Sequence, residues 1–186
     1  MEKKIIVISG GPGFGKTEII KELKKLGYHT GDEFARDLIA RETTSGGAML
    51  PWKNIKKFQQ EITRLRIGFY FDAADDKISF SDRGLPDQLA FIRYHGFEPD
   101  GGLEDYVARF RYFDRVFITP PWKKIYSRDA MRCETYEEAC RIHTCICEVY
   151  QKAGYKLVEV SCQGPEERAL FIIKYLRAIG IDTLAN

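Results

Sequence analysis

Eight consecutive residues, Gly10-Gly11-Pro12-Gly13-Phe14-Gly15-Lys16-Thr17, carry the spacing G-x-x-x-x-G-K-[ST], which is the chemistry of a phosphate-binding loop. Glycines let the backbone curl until successive N–H groups point inward at a β-phosphate. A helix opening directly after the loop adds the positive end of its dipole. Lys16 is then expected between the β- and γ-phosphates, and the Thr17 hydroxyl on a Mg²⁺ ion. Gly11, Pro12, Gly13, Phe14, Gly15, Lys16 and Thr17, with Glu18 beginning the helix, are the expected contacts of ATP. Phe14 has no phosphate role of its own. No N-K-x-D motif for reading guanine is present, which argues against a GTPase.

A phosphate loop alone does not say where the γ-phosphate goes, so the acids at the ends of other apolar runs matter. Ile78-Ser79-Phe80-Ser81 leads into Asp82-Arg83-Gly84. An acid in that place is expected to orient Mg²⁺, which makes Asp82 a metal and catalytic candidate, and Arg83 is expected to hold the acceptor or a phosphate. Glu33 and Arg36 stand three apart at the start of a helix, so both can face one cleft. There Glu33 would take the proton of an attacking hydroxyl and Arg36 would fix the acceptor; the plain alternative is a dipole-stabilised helix acid beside an exposed arginine. Whether Glu33 or Asp82 is the base stays open. Further on, Arg128 and Arg132 lie four apart in a stretch that also holds Asp129. They are expected either to close over the transferring phosphoryl group as part of a lid or to form a solvated basic face.

Two other groupings are set lower. Cys140, His143 and Cys147 fall on one helical face, but three ligands from one helix rarely close a tetrahedron without a fourth from elsewhere. Trp52, behind Thr43-Thr44-Ser45-Gly46-Gly47, either stacks on a flat ring or packs.

These residues need elements to position them, and the apolar runs alternate in type. Strands are expected at Ile5–Ile8, weakly at Tyr28–Thr30, then at Ile78–Ser81, Val116–Thr119 and Leu157–Val160. Helices are expected over Glu18–Leu26, along the stripe Ile55, Phe58, Ile62, Leu65 and Phe69, over Pro86–Tyr94, over Leu103–Tyr112, from the capping box of Thr135 and Glu138 to Lys152, and from Pro165 to near Gly180. Strands alternating with helices predict an α/β fold with a parallel sheet covered on both faces and a site at the carboxyl ends of the strands.

The chain has 186 residues, enough for one full core, and is read as a single domain over 1–186, with acceptor-side helices over about 33–75 and a lid over about 122–138. A net charge of +2 gives no general nucleic-acid affinity. The apolar run after Met1-Glu2-Lys3-Lys4 is too short for a signal peptide or membrane span, so a cytoplasmic location and no membrane partner are expected. Five cysteines without a C-x-x-C predict reduced thiols.

Gly10–Thr17, Glu33-x-x-Arg36, Asp82 closing a strand, and Asp129-x-x-Arg132 in a lid position together resemble the P-loop ATP-binding family that includes the ribosylnicotinamide kinase domain of a bacterial NAD-synthesis regulator. More broadly the layout resembles nucleoside and nucleoside-monophosphate kinases. That resemblance implies a three-layer P-loop fold with a five-stranded parallel sheet of order 2-3-1-4-5 and a lid after the fourth strand. It also implies that an acid in the place of Glu33 acts as base and that Asp82-Arg83 helps hold the site. The function it implies is transfer of the ATP γ-phosphate to a small-molecule acceptor. A nucleotide-dependent switch or a simple NTPase is the alternative.

Overall fold

The computed structural model describes residues 3–31, 33–99, 102–127, 134–161 and 163–183. Strand β1 (Ile5–Ser9) runs into the phosphate loop and helix α1 (Lys16–Lys25). Then come β2 (His29–Gly31), α2 (Phe34–Ser45), α3 (Ile55–Asp72), β3 (Ser79–Asp82), α4 (Leu85–Tyr94) and α5 (Leu103–Arg109). The chain ends with β4 (Arg115–Ile118), a short 3-10 turn (Lys123–Ile125), α6 (Tyr136–Lys152), β5 (Lys156–Glu159) and α7 (Pro165–Ala178). All four strand pairings are parallel and the order is β2-β3-β1-β4-β5, the order that the resemblance implied.

The central strand explains the layers. Every residue of β1 is buried, and its side chains alternate between two cores. Ile5 and Val7 pack with residues of α4, α5 and α6, while Ile6 and Ile8 pack with residues of α1 and α7. An unbroken apolar strand is therefore what a sheet covered on both faces requires. Helices α2 and α3 form a smaller core of their own, with Leu38, Ile39, Phe58 and Ile62.

Two elements depart from expectation for physical reasons. The helix expected to reach Tyr112 stops at Arg109. Beyond it the Tyr112 hydroxyl accepts the Leu85 N–H at 3.1 Å, and the Tyr112 N–H donates to the Tyr155 hydroxyl at 3.1 Å, bonds that need an extended backbone at Tyr112. On α3, Phe58, Ile62 and Phe69 are buried as the spacing predicts, but Leu65 is only half-buried and Arg66 takes the inward place. A charged side chain thus interrupts the apolar face and must find polar partners.

The carboxyl ends of β1, β3 and β4 are held together by close approaches. Gly10 has φ 130°, and a Cβ there would lie 2.5 Å from the Thr119 carbonyl oxygen, so only glycine lets the loop leave β1 beside β4. Asp87, on the first turn of α4, is wholly buried and accepts four hydrogen bonds. They come from the Ser9 hydroxyl (2.6 Å), the Gly84 N–H (2.8 Å), the Tyr150 hydroxyl (2.6 Å) and Arg83 Nη1 (2.9 Å). Burial alone would raise the Asp87 pKa, but Arg83, Arg66 and the bonds from Gly84 and Ser9 outweigh it and hold the carboxyl below its usual value.

Tyr150→Phe removes one hydrogen bond to this carboxylate and is expected to lower stability by about 1.5–3 kcal/mol in urea unfolding. Asp87→Ala strips the buried Arg83 of its counter-charge and is expected to cost about 3–5 kcal/mol. Equal costs for the two would show that the carboxylate is not the centre of the network.

Candidate functional site

The phosphate loop crosses the carboxyl end of the sheet, where Gly15, at φ 80°, turns the chain into α1. The first residue of that helix, Lys16, is 5% exposed, and its Nζ donates to the Gly11 carbonyl at 2.7 Å. Burial, with Arg83 nearby, pushes the Lys16 pKa down to about 7, against the pull of Asp82, Glu33 and Asp87. An ammonium held this way is starved of solvation, which favours an incoming polyanion.

Next to it, three elements converge on one hydroxyl. Thr17 Oγ1 lies 2.8 Å from Glu33 Oε2, at the start of α2, and 3.1 Å from Asp82 Oδ2, at the end of β3. A hydroxyl has one proton, so it can satisfy only one of these carboxylates at a time. The other Asp82 oxygen, Oδ1, is buried with no hydrogen-bond partner among the described residues. Burial raises the Asp82 pKa; Lys16 opposes that shift and Glu33 adds to it. A cluster of oxygen donors with surplus negative charge is the donor set of a hard divalent cation such as Mg²⁺. The residues fit that ion.

Arg36 Nε bonds Glu33 Oε1 at 3.2 Å and fixes the exposed side of this carboxylate. Arg83 Nη1 donates to the Gly10 carbonyl (3.0 Å) as well as to Asp87, so it joins the phosphate loop to α4. Among the described residues it is the sole non-glycine with positive φ, at 71°. Such strain is kept where the surroundings over-determine it.

A cavity of about 630 Å³ runs past these groups. It is lined by Pro12, Gly13, Gly15, Lys16, Thr17 and Glu18 of the phosphate loop and α1, by Glu33 and Arg36 at the start of α2, by Phe58 and Arg66 of α3, by Arg83 and Gln88, and by Trp122, Ile125, Gln163 and Arg168. A second cavity of about 650 Å³, between α3, α4 and α5, is lined by none of the phosphate-loop residues or paired acids.

Two loop residues face away from this cleft. The Phe14 ring is fully buried against Tyr126, Tyr136 and His143, with ring centroids about 6 Å apart. It therefore anchors the loop to α6, while its carbonyl accepts from Arg168 Nη1 at 3.3 Å. The Gly11 N–H points at His143 Nδ1, 3.4 Å away. His143 is thus used as an acceptor by the loop, with Cys147 Sγ 3.6 Å from its other nitrogen. Arg128, Asp129 and Arg132, in the middle of the expected lid, lie outside the described residues.

Several site residues escaped the sequence reading. Asp87 left a signal, the spacing of four from Arg83, and Arg66 left another, a cation on an apolar helical face. Arg168 and the Gln88–Gln59 amide pair left none, because they come into place only through packing, and His143, singled out with Cys140 and Cys147 for its helical face, gave no sign of its contact with the loop.

Residues 5–168 match a protein family described as an AAA domain. The chain belongs to that AAA-domain family. No curated protein matches it. Among solved structures this AAA domain is similar to the NadR protein in complex with NR, at 16% identity and a TM-score of 0.66, covering 99% of this chain and 54% of that one. It therefore spans about half the length of that NadR chain. It is also similar to deoxyadenosine kinase from M. mycoides (18% identity, TM-score 0.67, 94% and 99% covered). A third likeness is to shikimate kinase from Acinetobacter baumannii (14%, 0.64, 98% and 97%). At these identities the likeness is one of fold, and the fold is that of P-loop kinases. No helix among the described residues is long and apolar enough to cross a membrane.

The acceptor role of His143 predicts a pH signature. Burial, and secondarily Lys16, lowers its pKa from 6.5 to about 4. Between these values the unfolded chain binds more protons than the folded one, so His143's contribution to stability is complete above pH 6.5 and is lost as pH falls toward 4. His143→Gln is expected to flatten unfolding free energy against pH in that window. An unchanged slope would place the acid sensitivity in other groups.

Proposed function

We propose that this protein is an ATP- and Mg²⁺-dependent kinase that transfers the γ-phosphate to a hydroxyl or phosphate of a small metabolite. The observation that carries the reading is the meeting of two carboxylates from different elements on the hydroxyl of the phosphate loop. An NTPase needs to orient water. A kinase needs, in addition, a walled space for an acceptor beside the base, and residues of α2, α3 and α4, among them Ile39, Phe58, Ile62 and Gln88, line the same cleft as Glu33.

The roles follow from position. Gly13, Gly15, Lys16 and Thr17 of the loop and the first turn of α1 cradle the triphosphate, with Lys16 neutralising charge between the β- and γ-phosphates. Thr17 and Asp82 hold Mg²⁺, which when bound neutralises charge building on the phosphoryl oxygens. Glu33 is the base. It is the less buried of the two acids and stands at the junction of phosphate loop and acceptor space. It accepts the proton of the acceptor hydroxyl at a carboxylate oxygen, while Arg36 holds it in place. Arg83 positions the acceptor against the loop, and Arg128 and Arg132 bring positive charge to the leaving and transferring groups. Helices α2 and α3 wall the acceptor.

The test is ADP release from Mg·ATP in the presence of a panel of nucleosides, nucleotides and hydroxy acids. One acceptor should stimulate release, and Lys16→Ala should reduce the stimulated rate at least about 100-fold. Release indifferent to every acceptor would instead make the protein an NTPase. Glu33→Gln separates base from metal ligand: transfer should fall by about 10²–10⁴-fold with ATP affinity nearly unchanged. A collapse of ATP affinity would return Glu33 to the metal. Turnover that survives replacing both Arg128 and Arg132 by alanine would remove the lid pair from the mechanism.

A further inference from the structure

Two buried guanidiniums, Arg83 and Arg66, stand on the acceptor side of the cleft, and only one of them is ion-paired to a carboxylate of its own. Asp87 is ion-paired to Arg83 at 2.9 Å, and its charge also acts on Arg66. Arg66 is 3% exposed, projects from the inner face of α3 and lines the cleft. Its Nη1 donates to a neutral group, the Asp82 carbonyl oxygen, at 3.0 Å. Its Nε has no hydrogen-bond partner among the described residues. Of the other acids nearby, Glu33 is bonded to Arg36 and Thr17, and Asp82, whose charge also acts on Arg66, turns its carboxylate to Thr17 in the cluster that fits the divalent cation.

A guanidinium keeps its charge at any physiological pH, so it cannot escape burial by losing a proton. A buried cation that shares a counter-ion is unfavourable until another anion arrives. The surrounding wall supplies none. Phe58 and Ile62 are apolar, and the buried Gln88 is bonded to Gln59 as a neutral amide pair.

We infer that the acceptor carries an anionic group, a carboxylate or a phosphate monoester, that Arg66 binds, so that the site selects acidic metabolites over neutral alcohols of the same shape. This rests on the kinase reading. Arg66 is a specificity residue in it: the planar fork of its guanidinium matches either oxyanion, and it stands on the acceptor-side wall rather than on the phosphate loop.

The experiment uses the full chain saturated with Mg·AMP-PNP, so that the phosphate loop is filled, and follows the thermal midpoint while inorganic phosphate or acetate is added. Chloride at equal ionic strength corrects for screening. A saturable rise beyond chloride is expected, because a ligand that binds only the folded state stabilises it. A larger response to phosphate points to a phosphate monoester, and a larger response to acetate to a carboxylate. In Arg66→Gln the apparent Kd of the anion should rise about tenfold or more, with AMP-PNP affinity little changed. Arg66→Lys, which keeps the bulk but loses the planar fork, should weaken the anion response in the same direction by a smaller factor and stands in if the glutamine variant does not fold. Absence of a saturable rise, or an equal response in Arg66→Gln, overturns the inference and leaves the kinase reading intact. A loss of AMP-PNP affinity with the anion response preserved also overturns it, since Arg66 would then serve the donor. Failure of the wild type to bind AMP-PNP overturns both.

Discussion

The buried carboxylate of Asp87 is the constraint on which the site depends. It receives the hydroxyl of Ser9 from β1, the N–H of Gly84 beyond β3, the hydroxyl of Tyr150 from α6 and the guanidinium of Arg83. Arg83 passes the connection on to the Gly10 carbonyl, the first residue of the phosphate loop. One anion therefore locks three elements and sets where the loop begins relative to Asp82. The loop is curved by its own glycines, but its position is given by an ion pair outside it.

The same economy governs charge in the cleft. Lys16, Asp82, Arg66, Arg83 and Asp87 are all buried, and none has a partner to itself. Shared partners leave charges under-compensated on both sides: Asp82 and Glu33 compete for one hydroxyl, and Arg83 and Arg66 share the fields of Asp87 and Asp82. Such an arrangement costs folding stability and is relieved by ions of the opposite sign, a pattern found where a protein binds charged ligands.

What the sequence made legible was whatever depends on local order. The phosphate loop, the acids at strand ends, the capping box before α6 and the alternation of strands and helices are short-range features, and the strand order followed from the resemblance they carry. The α3 stripe was legible except at one step, where helical spacing alone does not say whether Leu65 or Arg66 points inward. The partners of Phe14 and Gly11, and the Ser9 and Tyr150 partners of Asp87, were not legible, because each is reached across more than 50 residues of chain and only packing brings them into contact. The second cavity left no trace either, since grooves between helices depend on how far apart the helices sit.

The register of the central strand has a bearing on when the protein can work as well as how. Ile5 pairs with Ser79 and Val7 with Val116, and Gly10 is seated against Thr119. Closing those contacts means bringing together residues far apart along the chain, the slow part of folding for parallel sheets. On the ribosome, the motif emerges before the strands that flank it and becomes a binding site only after them. Until the fourth strand has left the exit tunnel, the emerging chain carries the motif in full and has nothing to hold it in shape.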